Sequence, residues 1–352
     1  MFVALRDLRF AKGRFALIGV VVVLITMLIG LLSGLTSGLG RANTSAITGL
    51  GADHVAFAAP PGGQQPSFTT SSLSESAWLT WRERPGVTSA EPVGIRTLDA
   101  IAGDRAVAVA AFGIDPAAPF APASLVDGSV VSAPLAAELD VRVGDVLRVG
   151  GLDLHISDVG GEDAYSHLPV VWTSLSAWQR LGPGDAASVV ALRTDGADLA
   201  AGDAAAGTRT LTVDDALTMI GSYQAENGSL QLMRGFLFAI SALVIGAFFT
   251  VWTVQRGGDI AVLKALGAST GYLLRDALGQ ALLLLLAGTG VGMALAAAIG
   301  AVVRGSDVPF VLDATTIALP AGVVILLGVI GAALPIRRIT TVDPLDALGS
   351  AR

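Results

Sequence analysis

Residues 255–270 read QRGGDIAVLKALGAST, a short charged stretch between two long apolar runs. Apolar positions recur in it at spacings of three and four, which is the stripe of an amphipathic helix: Ile260, Leu263, Leu266 and Gly267. Asp259 stands near its start, where a carboxylate suits the positive end of the helix dipole. Gly267 is expected to act either as a helix cap or as a point of close packing. The pattern predicts a short helical connector.

The composition around this stretch indicates a membrane protein. The chain has 352 residues, of which 53% are hydrophobic and only 14% are charged, and its mean hydropathy is +0.67. Soluble proteins carry about 25% charged residues. The chain contains no cysteine, which excludes a disulfide scaffold, thiolate metal sites and thiol catalysis.

Four charge-free apolar runs are each long enough to cross a membrane, which takes about 20 residues. They cover residues 15–40, 235–255, 277–303 and 314–336. The first run is too long for the apolar region of a signal peptide and has no clear cleavage site, so we expect an uncleaved span. Four glycines in the third run either let helices approach closely or reflect a glycine-rich composition: Gly288, Gly290, Gly292 and Gly300.

These runs predict a membrane α-helical fold with four transmembrane helices and a large α+β extracytoplasmic domain between helices 1 and 2. The expected segments are a cytoplasmic amphipathic helix (1–14), the first span (15–40), the extracytoplasmic domain with stalk ends (41–229), the second span (230–254), a cytoplasmic coupling loop or helix (255–272), the third span (273–303), an outer loop (304–314), the fourth span (315–336) and a cytoplasmic tail (337–352).

Charge predicts the orientation. Residues 41–226 hold ten arginines, no lysine and 22 acidic residues, a net charge of −12. The two termini and residues 255–276 together hold ten basic and five acidic residues, a net charge of +5. Because basic residues are retained on the cytoplasmic side, we expect both termini inside, the acidic domain outside, and the chain in the cell (plasma) membrane.

The acidic interval has the alternating pattern of a folded α+β domain. Residues 92–112 alternate as strands do, residues 139–159 suggest a glycine-turn meander of three strands, and residues 170–180 suggest a strand that leads into a helix. Residues 67–85 and 213–225 are expected to be helical. The two adjoining membrane helices are expected to continue outward as stalks.

The 255–270 stretch resembles the cytoplasmic loop of FtsX/MacB-type ABC transporter permeases, and VDPLDAL at 342–348 resembles the ending of the same family. The resemblance implies a homodimeric permease, in contact with membrane lipid, whose loop docks on two copies of a cytoplasmic ABC ATPase subunit. The implied coupling residues are Arg256, Asp259, Ile260, Leu263, Lys264, Leu266 and Gly267. No GxxxxGK[ST] motif is present, so we expect ATP to be bound and hydrolysed by that separate subunit, and expect this chain to be no enzyme, with no cofactor and no nucleic-acid partner.

Around the first span the chain resembles the DevC/haem-exporter (HrtB-like) branch of that family, in KGRFALIG at 12–19, LSGLTSGL at 32–39 and NTSAI at 43–47. This resemblance implies that the permease removes haem from the membrane. Other cargoes of the family remain open: another hydrophobic substrate, a lipid, a peptide or a lipoprotein. A third possibility is an FtsX-like regulator of an extracellular partner, which moves nothing.

If the cargo is haem, the sequence offers five candidate binding residues: Met27, Tyr223, Glu226, Met233 and Arg234. Sulfur, phenol and carboxylate are ligands for the iron, and an arginine suits a propionate. Ionisable groups at a membrane edge are functional candidates. The alternatives are that Met27 only packs between helices and that Glu226 is a solvated helix start.

His167 is near Glu162, Asp163 and Tyr165 in sequence, which suggests either a metal site or, as we favour, a solvated loop. His155 is expected to be an ordinary strand residue, and we predict no metal site.

Overall fold

A computed structural model of the chain describes residues 12–182, 186–255, 257–303 and 308–336. The chain forms two compact units. The helical unit contains the residues up to 38 and from 229 onward, and the α+β domain is Leu39–Gly228. Most of the predicted N-terminal helix, all of the predicted tail (337–352) and Arg256 lie outside the described residues.

The helical elements begin and end as follows: α1 Lys12–Thr48, α2 Glu75–Arg82, α3 Ala133–Leu139, α4 Leu175–Arg180, α5 Leu199–Ala206, α6 Val213–Leu217, α7 Gly221–Gln255, α8 Gly257–Ala265, α9 Thr270–Val303 and α10 Ala314–Ile336. The strands are β1 His54–Ala58, β2 Val87–Ala102, β3 Arg105–Ile114, β4 Ser129–Val131, β5 Val146–Val149, β6 Leu152–Val159, β7 Ala164–Tyr165, β8 Leu168–Ser174, β9 Val189–Thr194 and β10 Thr208–Thr212.

Four of these helices, α1, α7, α9 and α10, are long and apolar enough to cross a membrane. This confirms the predicted four-span architecture. Helices α1 and α7 have 37 and 35 residues, or about 56 and 53 Å at 1.5 Å per residue. They exceed a hydrocarbon core of about 30 Å. The runs at 15–40 and 230–254 are therefore the apolar parts of longer helices, because a change in polarity along a helix does not end it.

Small residues allow the membrane helices to approach one another. A Cβ atom added at Gly288 or at Gly292 of α9 would lie 2.7 Å from Val22 or from the Val23 carbonyl oxygen of α1. Gly300 faces the ring of Phe310, whereas nothing lies within 4 Å of a Cβ at Gly290. Three of the four glycines therefore serve close packing.

The α+β domain is built on one ten-stranded sheet with the order β10-β1-β9-β2-β3-β8-β4-β6-β5, in which β7 pairs with β8. Strand β2 pairs with both β3 and β5, so the six strands from β2 to β5 close into a barrel. The pairs β3–β8 and β4–β6 are parallel. Buried aliphatic side chains from these strands and α3 form one core, and a second core is centred on Phe57, Phe112 and Trp172.

Three local predictions were wrong in extent. The three-strand meander at 139–159 is the hairpin β5–β6, because Asp145 accepts the Arg142 backbone N–H and Gly144 takes a φ of +96° in a turn. The helix predicted at 67–85 is only α2, since residues 68–70 form a turn and Leu73 forms an isolated β-bridge with Ala187. The helix predicted at 213–225 is interrupted at 218–220, between α6 and α7.

Candidate functional site

Glu226, in the second turn of α7, is hydrogen-bonded to side chains from two other segments of the α+β domain. His167 Nε2 lies 2.8 Å from Glu226 Oε1. Asn43 on α1 donates from Nδ2 to Glu226 Oε2 at 3.1 Å, and the same nitrogen lies 3.0 Å from His167 Nε2. The carboxylate, imidazole and amide therefore form one compact group at the first turns of α7.

Two serines complete this group. Ser222, one turn before Glu226, donates to Asn43 Oδ1 at 2.5 Å and lies 2.8 Å from the hydroxyl oxygen of Ser166. We call these five residues the Asn43 cluster: Asn43, Ser166, His167, Ser222 and Glu226. Asn43 is buried, while the side chains of His167 and Glu226 are 35% and 37% exposed. The interior of the cluster is thus rigidly bonded, and its imidazole and carboxylate remain accessible.

Ser166 and His167 form the two-residue turn between β7 and β8, and their φ angles are +52° and +65°. Positive φ at both central residues is typical of tight hairpin turns, in which glycine or asparagine is preferred. Such backbone strain costs about 1–3 kcal/mol per residue and often marks functional positions. Here the turn directs its N–H groups to the carbonyl oxygens of Asn43 and Ala42, at 3.0 and 2.9 Å.

The core of the domain holds this turn in place. Tyr165, next to Ser166, packs edge to face on Phe68 and Phe112, with ring centroids 5.8 and 5.6 Å away. Ser45 of α1 accepts the Ala164 N–H at 2.8 Å. Asp163 accepts the indole N–H of Trp172 at 2.9 Å. This carboxylate, which the sequence suggested as a possible metal ligand, is therefore hydrogen-bonded to a tryptophan of the core. The position of His167 is therefore set by α1 and by the aromatic core.

The cluster has two alternative hydrogen-bonding states. If Nε2 of His167 carries a proton, it donates to Glu226; if it does not, it accepts from Asn43. An imidazole and a carboxylate are both able to ligate an iron ion.

Four residues of the cluster were missed as site residues by sequence reasoning: Asn43, Ser166, His167 and Ser222. His167 was expected in a solvated loop, because nothing local shows that its turn contacts α1 and α7. Asn43 was noted only within the motif at 43–47. An asparagine inside a helix is unfavourable relative to alanine, and that cost was the available signal.

The other predicted substrate residues are distributed over both units. Tyr223, three residues before Glu226, packs against the apolar core of the α+β domain. Met27, Met233 and Arg234 belong to the helical unit. There Met27 is half-buried, Met233 is 54% exposed, and Arg234 donates to Gln231 Oε1 within its own helix. The structure thus joins Glu226 to residues that were not predicted.

The predicted coupling segment forms α8. Ile260 is buried among apolar residues of the helical unit, whereas Leu263 and Leu266 are 41% and 80% exposed. Gly267 has a φ of +94°, and the N–H groups of Gly267 and Ala268 bond to the carbonyl oxygens of Lys264 and Leu263. This is a Schellman cap, so Gly267 ends the helix. Nothing lies within 4 Å of a Cβ there, which rules out the packing alternative.

Lys264 is half-buried and Asp259 lies within α8. The accessible apolar side chains at the end of α8 are those of Leu263 and Leu266.

Comparison with known proteins agrees with this architecture. The FtsX-like permease C-terminal family matches residues 232–344. The candidate hemin transport system permease protein HrtB of Staphylococcus haemolyticus is 27% identical over 362 residues, which covers 99% of each chain. The protein of the same name from Staphylococcus epidermidis is 32% identical over 146 residues, 42% of this chain and 41% of that one.

An uncharacterized ABC transporter permease of Mycobacterium tuberculosis, Rv2563, is 25% identical over 99% of both chains. Among solved structures, the extracellular domain of the ABC-type transporter YknZ covers 46% of this chain and 98% of its own, with 13% identity and a TM-score of 0.35.

Four helices long and apolar enough to cross a membrane, with a large α+β domain between the first and second, are the architecture of a multi-pass membrane protein. Residues 232–344 match the FtsX-like permease C-terminal family, and over its full length the chain is similar to proteins named as permeases.

Proposed function

We propose that this chain is the permease subunit of an ABC-type efflux transporter that exports haem from the membrane. The observation that carries the haem assignment is the His167–Glu226 pair, two iron-ligating groups 2.8 Å apart and both over one-third exposed. Full-length similarity to a protein named for hemin transport supports the same cargo. Met27 and Arg234 stay proposed contacts for the iron and a propionate.

The energy source is a separate ATPase in this proposal. Two copies of the permease pair with two ATPase subunits, and each subunit docks on α8. The exposed side chains of Leu263 and Leu266 support the docking assignment, because apolar side chains at a helix end gain stability when a partner covers them. ATP shifts the permease between two states only if the ATPase binds these states unequally.

A hemin titration tests the cargo. The purified full-length chain is titrated with hemin, and the Soret band is followed for wild type, Glu226→Gln, His167→Ala and Met27→Ala. Glu162→Gln is the matched control, since Glu162 is an exposed carboxylate of the same domain outside the cluster. We expect Glu226→Gln and His167→Ala to weaken hemin binding by about tenfold or more, the loss of one ligand or charged hydrogen bond.

Two results oppose the proposal in different ways. Wild-type protein without a Soret shift removes haem as cargo and favours lipid, peptide or lipoprotein export. Hemin binding that is equal in wild type and in all three variants keeps the cargo and removes the ligand assignment. Stimulation of an extracellular partner without any export would favour the regulatory alternative.

A second experiment tests coupling and orientation. Leu266→Glu places a charge on the exposed end of α8 and should abolish hemin-stimulated ATPase activity of the reconstituted complex, while Gly271→Ala, a position with free space, should not.

Because the chain has no cysteine, single cysteines at Asp104 and Gly258 report topology in intact cells. An impermeant maleimide should label only position 104; label at 258 alone would reverse the orientation.

A further inference from the structure

A cavity of about 400 Å³ lies within the α+β domain, and no member of the Asn43 cluster lines it. Its volume is in the range of pockets that hold small organic molecules, about 300–1,000 Å³. Its wall combines apolar and polar side chains, principally Phe68, Ser72, Ile95, Arg96, Tyr165 and Trp178.

The guanidinium of Arg96 is fixed in this wall by packing. Its Cζ atom lies 4.3 Å from the centroid of the Trp178 ring, a cation–π contact. On the strand side, Trp178 rests on Gly94 and Gly113, which are cross-strand partners in β2 and β3. A Cβ at either glycine would lie 2.3 Å from the tryptophan, so this site requires the absence of a side chain.

Two further contacts hold the same pair. The indole N–H of Trp178 donates to the Ala111 carbonyl oxygen at 3.1 Å. Gly182 packs closely against Arg96, since a Cβ atom at position 182 would lie 2.2 Å from Nη1 of the arginine. The arginine is therefore oriented before any ligand arrives, which lowers the entropy that binding costs.

Few donors of Arg96 are engaged by the residues that the structure describes. Within the residues that the structure describes, the guanidinium makes one long hydrogen bond, 3.5 Å from Nη1 to the Trp178 carbonyl oxygen, and no ion pair. A guanidinium has five N–H donors in a planar fork that matches a carboxylate. Arg96 therefore has the capacity to bind a ligand carboxylate at two points.

A second donor faces the same space. Tyr165 lines the cavity and is 5% exposed, and its hydroxyl has no hydrogen-bond partner in the described part of the chain. Burial raises the pKa of this phenol above its ordinary value, so it remains a neutral O–H donor at physiological pH. Because Tyr165 lines the cavity, a water or a ligand there is an available acceptor for its O–H.

We propose that this cavity is a binding site for a small organic carboxylate. Arg96 receives the carboxylate, Tyr165 supplies a further donor, and Phe68, Ile95 and Trp178 contact the apolar part of the ligand. The net charge of −12 over residues 41–226 disfavours a polyanion, so the site suits a molecule with a single acidic group. The site does not depend on haem as the cargo.

Ligand-observed NMR on the purified full-length chain tests the site. The probes are benzoate, phenylacetate and hexanoate, each compared with its primary amide. We expect at least one acid to bind wild type, and its amide to bind about tenfold more weakly, because the amide lacks the charge-assisted bonds. Arg96→Gln should weaken the acid by at least about tenfold and Tyr165→Phe by several-fold.

The controls separate a binding role from a folding role. Arg148→Gln removes an exposed arginine of the same domain and should leave binding unchanged. Arg96→Lys keeps the charge without the planar fork and should fall between wild type and Arg96→Gln. Each variant is first compared with wild type in thermal unfolding, and Arg96→Lys replaces Arg96→Gln if the latter does not fold. Absence of binding by all three acids, or equal binding to wild type and the Arg96 variants, would overturn the proposal.

Discussion

Replacement of Asn43 by alanine tests whether the Asn43 cluster stabilises the α+β domain. The amide donates to Glu226 and to the Leu39 carbonyl oxygen, and it accepts from Ser222. A buried hydrogen bond contributes about 1 kcal/mol. The bond to Glu226 is discounted to a similar value because that carboxylate is over one-third exposed. Alanine regains up to about 0.7 kcal/mol of helix propensity. The expected net loss is about 2–2.5 kcal/mol.

The assay is thermal unfolding of the purified full-length chain, followed by the near-ultraviolet signal of the domain's tryptophans. For a unit of this size, 1 kcal/mol corresponds to about 2–4 °C, so the midpoint should fall by about 4–10 °C. Gln224→Ala, an exposed position on α7 in the same domain, is the matched control and should shift the midpoint by less than about 1 °C.

A second variant sharpens this test. Asn43→Asp has nearly the same shape but places a carboxylate beside Glu226, so repulsion should make it at least as destabilising as alanine. If Asn43→Ala unfolds within 1 °C of Gln224→Ala, or if Asn43→Asp matches wild type, the hydrogen-bonded cluster does not exist in solution as described.

Three further predictions concern other parts of the chain. Gly267→Ala should weaken the cap of α8 by about 1 kcal/mol because of the positive φ, and hydrogen exchange at the end of α8 should accelerate about fivefold, whereas Gly271→Ala should show no such change. Phe310→Ala should lower thermal stability by about 2 kcal/mol, since its ring fills the space beside Gly34 and Gly300; equal stability would contradict this packing. Because burial raises the pKa of Tyr165, the native state holds this proton more tightly than the unfolded state. Stability should therefore be constant below the ordinary tyrosine pKa of 10.0 and decrease as the pH rises above it, and Tyr165→Phe should remove that decrease.

The membrane architecture could be predicted because it depends on properties that local sequence carries. A span needs about 20 apolar residues, and the four runs satisfy this by composition alone. The cap at Gly267 was among the expected alternatives for the same reason, since a helix end is decided within a few residues. The barrel was harder to predict, because the pairing of β2 with β5 joins segments that are almost 50 residues apart.

The sequence by itself determined that this chain has four apolar runs long enough to span a membrane, a folded acidic domain between the first two, and a short helical connector within 255–270. Only the tertiary structure decided which polar residues act together. His167 and Glu226 follow Asn43 by 124 and 183 residues in the sequence. No periodicity in the sequence links the three positions. They meet because strand pairing and aromatic packing bring the β7–β8 turn against two helices. The same holds for Arg96, because the sequence does not distinguish it from the other nine arginines of residues 41–226. Only the tertiary structure shows that its guanidinium lies over the Trp178 ring.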